Sequence, residues 1–313
     1  MSDRSDKYSK HITKMIYSAP LKKGDKIAII SPASHIRHEY VDAACRIIAE
    51  WGYEPVVSKH CKGAVGTYSG TIEERLADLT AALTDTSVRA ILCSRGGYGV
   101  VHLLDRINPE LIRSNPKWVI GFSDISAMHA AMHRCGIASV HSPMTKQFAV
   151  RGADDECVAA LRDILEGHLP EYCEPSHPFN RPGTATGELI GGNLAVLCGL
   201  QGSEWDIFAP DKILFIEDVG EAVYRVERML YNLRLRGILG QLRGLIVGRF
   251  TEYACPDGNG DTMETMVHRM VEPYGYPVTF DFPVGHIDRN LPLIEGSTVT
   301  LTVTPTATTL RHT

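Results

Sequence analysis

Residues 118–132 read Trp118-Val119-Ile120-Gly121-Phe122-Ser123-Asp124-Ile125-Ser126-Ala127-Met128-His129-Ala130-Ala131-Met132. Trp118–Gly121 is a short apolar run with strand character, and Ile125–Met132 follows helical spacing with almost no loop between them. A strand that passes at once into a helix is the repeating step of a parallel α/β sheet. The residue at such a turn is lifted out of the sheet. The new helix also aims free backbone N–H groups at whatever lies beside it. Ser123 holds that position. The turn departs from the G-x-S-x-G elbow, because Ile125 stands where the second glycine would be. Taken locally, Ser123 or Asp124 acting only as a helix cap explains the segment at least as well.

Outward from this step the same rhythm continues. Strands are expected at Lys26–Ser31, Glu54–Val57, Ala90–Cys93 and Ala138–His141. Helices are expected at Glu39–Trp51, Thr71–Leu83 and Asp155–Leu165, the second opening with a Thr71/Glu74 capping box. Alternation of this kind predicts a parallel sheet covered on both faces, flavodoxin-like, with sites at the carboxyl ends of its strands. Ser31-Pro32-Ala33-Ser34, Gly96-Gly97 and Ser123 all fall at such ends. Residues 169–186, rich in proline, glycine and small polar residues, read as a linker. Beyond them, strands near 213–217, 245–249, 278–282 and 298–303 and a helix near 222–236 suggest a mixed or antiparallel sheet. In the last strand Val299, Leu301 and Val303 alternate with threonines, so one face should meet water. The expected fold class is therefore α/β, in two parts. An N-terminal parallel-sheet domain (residues 1–168) carries Ser123, and a C-terminal β-rich α/β domain covers residues 187–313.

With 313 residues, 44% of them hydrophobic, the chain can bury one large or two ordinary cores. Its net charge of −5 gives no support to a nucleic-acid partner. No apolar run approaches a membrane span, and the polar N-terminus lacks a signal-peptide core, so the expected location is the cytoplasm. Eight cysteines without C-x-x-C spacing read as free thiols.

Two later segments join Ser123. The strand Ile213–Ile216 ends in Glu217, and Phe282-Pro283-Val284-Gly285-His286 ends in an imidazole fixed by glycine and proline neighbours. Hydroxyl, imidazole and carboxylate are the parts of a serine hydrolase. A carboxylate ending a buried strand needs a partner, and Arg225 or Arg228 is the structural alternative to His286. The Asp124 amide, and the Gly97 amide after the third strand, could stabilise an oxyanion. A tight turn or a phosphate loop competes for Gly96-Gly97, although no G-x-G-x-x-G or Walker lysine is present. Metal sites find little support. His129 and His133 lack the glutamate of H-E-x-x-H, and Asp257, Asn259 and Asp261 are followed by Thr262 and His268 where a calcium loop requires glycine and glutamate.

On these residues the chain resembles the LD-carboxypeptidase family of serine peptidases, which also includes the microcin-immunity peptidases. The likeness runs from about Lys22 to the C-terminus. Its markers are Gly24-Asp25 with Ser31–Ser34, Arg95–Gly99, Gly121–Asp124, Gly191–Leu194, Glu217–Glu221 with Arg228–Leu230, and Gly285-His286. The resemblance implies a Ser123–His286–Glu217 triad at a domain interface, with Glu217 and His286 on the second domain. It implies removal of the terminal D-alanine from muropeptide tetrapeptides, without metal or cofactor. Homodimers occur in the family. Asn193, after two glycines, is expected as a substrate contact, and Arg95 or Arg249 as partners of the substrate carboxylate. The competing expectations are an immunity-type hydrolase of peptidyl-nucleotides, a general esterase, or a non-catalytic muropeptide-binding protein. Residues 169–186 offer only Tyr172 and Phe179 as an aromatic platform, which disfavours the nucleotide reading.

Overall fold

The computed structural model describes residues 15–253 and 261–313. In the first half the elements run β1 (Lys26–Ile30), α1 (His38–Glu50), β2 (Glu54–Val57), α2 (Ile72–Thr84), β3 (Val88–Cys93), α3 (Val101–Leu104), α4 (Pro109–Ser114), β4 (Trp118–Gly121), α5 (Ser126–Arg134), β5 (Ser139–His141), α6 (Thr145–Arg151) and α7 (Glu156–Leu165). They continue as β6 (Glu171–Pro175), β7 (Gly183–Asn193), α8 (Leu194–Cys198), β8 (Lys212–Val219), α9 (Val223–Leu235), β9 (Gly244–Thr251), α10 (Met263–Val271), β10 (Val278–Thr279), β11 (Leu293–Glu295), β12 (Thr298–Val303) and β13 (Ala307–His312).

The first sheet has the order β11-β5-β4-β3-β1-β2, parallel except for β11. The run β2-β1-β3-β4-β5 is the doubly wound flavodoxin-type order, whose direction reverses between β1 and β3. The strands are apolar on both faces because helices cover both. Ile27, Ile29, Ile91, Leu92, Val119 and Ile120 are all buried, each worth about 1.5–3 kcal/mol of transfer free energy. The Thr71–Glu74 capping box forms as expected, with the two reciprocal bonds at 3.2 and 2.9 Å.

The second sheet has the order β10-β9-β8-β7-β12-β13-β6. Its β10-β9-β8-β7 half is parallel, and the remaining pairings are antiparallel. In β12, Val299, Leu301 and Val303 point into the core, as the alternation predicts.

Three features depart from expectation. The 169–186 segment is not a free linker: β6 and the start of β7 lie within it as sheet. β6 buries only Tyr172 and is held at the sheet edge by backbone pairing with β13, so it has almost no apolar signature. Its proline closes an edge strand, where a missing N–H costs little. In addition, β11 crosses back from the C-terminal half to pair with β5. The two sheets are thus stitched together, with a seam beside the carboxyl ends of β4 and β5. The 278–282 strand is also shorter than expected, since only Val278–Thr279 pair with β9.

Candidate active site

The step from β4 to α5 is a single turn of 3-10 helix over Ser123–Ile125. Ser123 has φ of 68°, a left-handed conformation that a non-glycine residue adopts at a cost of order 1–3 kcal/mol. This turn is what raises the hydroxyl above the sheet. The loop after β3 closes over it. Asp124 accepts from the Val100 amide at 2.9 Å, which draws the 96–100 turn onto the new helix. Burial pushes the Asp124 carboxyl up to about 6, against the lowering effect of the Val100 and Gly99 amides and of Arg75. A Cβ on Gly96 would lie 2.7 Å from Ser123 Cβ, 2.9 Å from its Oγ and 3.1 Å from the Asp124 nitrogen. No side chain fits there. Gly96→Ala is expected to displace the Ser123 turn, lowering turnover about 100-fold while the fold persists. Steady-state rates beside a thermal melt check this; unchanged rates would mean that the turn yields freely.

Glu217 and His286 come from the second sheet. The β8–β9 register slips between Ile216 and Asp218, so Glu217 occupies an irregular step of the ladder. Such steps re-aim side chains. At the same place Arg249 bridges to Gly285 and its amide donates to the Val284 carbonyl at 2.9 Å, which lays the 284–286 segment beside Glu217. Gly285, at φ of 124°, permits the approach: a Cβ there would sit 2.9 Å from both Cβ and Oε2 of Glu217.

The three side chains fall in line. Ser123 Oγ is 3.0 Å from His286 Nε2, and His286 Nδ1 is 2.7 Å from Glu217 Oε2. Glu217 is fully buried, and its Oε1 has no hydrogen-bond partner among the described residues. Burial alone would push the His286 imidazole down. The hydrogen bond and charge of Glu217, helped by Asp218 and Glu252, outweigh it and hold the imidazole above its ordinary value. Phe122 packs on the ring with centroids 4.9 Å apart. Ser123 and His286 open into a cavity of about 490 Å³ that also reaches Ser94, Gly96, Gly97 and Lys146. A second cavity of about 220 Å³ adjoins it along Phe122, Lys146, Val219 and His286.

Other expectations fare differently. Gly97 lines the larger cavity, and Asp124 directly follows Ser123. Asn193 does not reach the cleft. It is buried, its Nδ2 donates to Asp218 at 2.9 Å, its Oδ1 caps α8 at the Val196 amide, and its own amide donates to Ser126 Oγ. It fastens β7 to α5 and α8. Arg249 pairs with Asp281 and lines neither cavity, whereas Arg95 lines the larger one. Arg225 pairs with Glu221 and Arg228 lies over Tyr224, which leaves Glu217 to His286. His129 bonds Ser139 and the Gly121 carbonyl, while His133 bonds Glu188, so the two do not converge. Cys255, Asp257 and Asn259 lie outside the described residues. Sequence reasoning missed Asn290. Fully buried, it accepts from the Gly285 amide at 2.8 Å and faces His141 Nε2 at 3.3 Å, fixing the backbone next to His286.

Fold and cleft together define a two-sheet α/β protein with hydroxyl, imidazole and carboxylate aligned at the seam of its sheets. The chain belongs to the LD-carboxypeptidase family: residues 27–142 match the family's N-terminal domain and residues 186–301 its C-terminal domain. It is similar to the "Probable murein peptide carboxypeptidase" of Bacillus subtilis, 32% identical over 88% of each chain. It is also similar to the crystal structure of muramoyltetrapeptide carboxypeptidase from Oxalobacter formigenes, at a TM-score of 0.84 and 27% identity, covering 92% of this chain and 98% of that one. The structure of MccF in complex with glutamyl sulfamoyl guanosine shares the fold, at a TM-score of 0.83 and 22% identity over 95% of this chain and 98% of that one.

Proposed function

We propose that this chain is a serine LD-carboxypeptidase that removes the terminal D-alanine from muropeptide tetrapeptides, in peptidoglycan recycling. The observation that carries the reading is the line from Ser123 Oγ through His286 to buried Glu217, at 3.0 and 2.7 Å, opening on a peptide-sized cleft. The murein peptide names of the relatives support the substrate.

In this reading the neutral imidazole accepts the Ser123 proton at Nε2 as Oγ attacks the scissile carbonyl. Glu217 accepts from Nδ1–H, which keeps the lone pair of Nε2 toward the hydroxyl and steadies the imidazolium that forms. The Gly97 and Asp124 amides are the oxyanion donors, each contributing about 2.7–4 kcal/mol by analogy with measured cases. His286 then protonates the departing amine of D-alanine, and water delivered through the same imidazole frees the acyl chain. The nucleophile belongs to the first sheet and its two partners to the second, so the seam between sheets is the working surface. Seven described cysteines, all free, support a reducing cytoplasm. Among the described residues, no helix is long and apolar enough to cross a membrane. A homodimer is the assembly that the family suggests, and light scattering would measure it.

The test is mass spectrometry of chelator-treated protein with L-Ala-D-Glu-meso-diaminopimelate-D-Ala. Loss of one alanine supports the reading. An intact tetrapeptide, together with cleavage of a peptidyl-nucleotide, would move the chain to the immunity class.

A further inference from the structure

A carboxypeptidase must sense that the chain ends one residue beyond the bond it cuts. The cleft holds a group suited to that task, and the argument rests on the carboxypeptidase reading above. Four lysine or arginine side chains line the two cavities: Arg37, Arg95, Lys146 and Arg151. Arg37 is paired with Glu39 and lies over the Tyr40 ring at 5.1 Å. Arg95 donates to the His35 carbonyl at 2.9 Å. Arg151 bonds Asp155 at 2.9 Å and stands 3.9 Å from Asp288. Among the described residues, Lys146 alone of the four has no carboxylate, carbonyl or ring partner. It is also the one of these cations that lines both cavities, with Ser123 and His286 on one side and His286 and Ile287 on the other. No aspartate or glutamate lines the larger cavity, on the Ser123 side of Lys146; Glu252 and Asp288 line the smaller one, where Asp288 already faces Arg151 at 3.9 Å.

We propose that Lys146 is the specificity-determining residue that binds the free α-carboxylate of the leaving D-amino acid. The chemistry places that carboxylate close by. It is bonded to the carbon that carries the amine, and this amine must lie at His286 Nε2 to be protonated. A flexible four-carbon stem ending in a compact charge can follow the carboxylate from ground state to product, which a fixed guanidinium fork does less readily. The ion pair gains strength because a bound peptide excludes water from the cleft.

The experiment uses Ser123→Ala as a non-turning background. Calorimetry measures its binding of the tetrapeptide acid and of the same peptide ending in D-alanine amide. The acid is expected to bind on the order of tenfold more tightly, a preference that adding Lys146→Met reduces to about twofold and adding Lys146→Arg largely keeps. With Ser123 intact, Lys146→Met should raise KM for the acid about tenfold and leave kcat nearly unchanged. A preference that survives Lys146→Met, or an equal loss for acid and amide, overturns the assignment while leaving the carboxypeptidase reading in place. If Ser123→Ala binds neither peptide and the parent cuts neither, the substrate reading fails and takes this assignment with it.

Discussion

Ser123→Ala is expected to abolish D-alanine release, with kcat falling on the order of 10⁶-fold and melting behaviour almost unchanged. The size of the loss follows from the alignment. In the proposed mechanism His286 has a single hydroxyl at 3.0 Å, and without it the imidazole and the amides proposed as oxyanion donors can only assist a water held less well. The fold should barely respond, because the substitution removes one half-exposed hydroxyl and a hydrogen bond worth about 1 kcal/mol net. Backbone strain offers a second, opposite readout. Alanine inherits the φ of 68°, whereas Ser123→Gly removes the Cβ that makes this conformation costly. Ser123→Gly should therefore be equally inactive yet more stable than Ser123→Ala by about 1 kcal/mol in urea titrations. Residual turnover within tenfold of the parent in either variant would take Ser123 out of the reaction.

Part of this site is legible because apolar runs lead into its residues. The apolar runs before Ser123 and around Glu217 mark the buried strands β4 and β8, whereas the run before His286 is held by a single bridge from Gly285 to Arg249 and not by a strand. The parallel, doubly covered character of the first sheet follows from the βαβ rhythm. What the sequence hid depends on contacts between distant segments. β6 is a polar edge strand that pairs through its backbone, and β11 has only three residues, too few to show a period. At Asn193 the sequence is ambiguous, because a polar residue after two glycines looks the same whether it meets a ligand or caps the next helix. Here Asp218 and the Val196 amide had already claimed it. Asn290 and Lys146 are the opposite cases. One resembles a turn asparagine and the other a surface lysine, and only the folded chain brings them to Gly285 and to the cleft.

Replacing Glu217 by glutamine is the sharper trial of the electrostatics, because it keeps the shape and removes the charge. In the parent, His286 Nδ1 donates to Glu217 Oε2 at 2.7 Å, which fixes the lone pair of Nε2 toward Ser123. A glutamine can turn its amide N–H₂ toward Nδ1 instead. The imidazole then carries its proton on Nε2 and cannot accept one from the hydroxyl. Loss of tautomer control together with loss of support for the imidazolium predicts a fall in kcat of about 10⁴-fold. Stability should hold or rise, since the variant removes a fully buried charge whose Oε1 has no partner among the described residues. The pH profile supplies an independent sign. The proposed mechanism needs neutral His286, so activity is expected to fall as pH drops through its pKa. Glu217 raises that pKa by hydrogen bond and charge, whereas burial lowers it. The parent's acid limb should therefore lie above the ordinary 6.5 of histidine, and the glutamine variant's limb should move to lower pH. Rate profiles of kcat/KM between about pH 5 and 9 measure both limbs. A variant that keeps the parent's limb and most of its rate would show that Glu217 neither charges nor orients His286. The 2.7 Å contact would then be structural only.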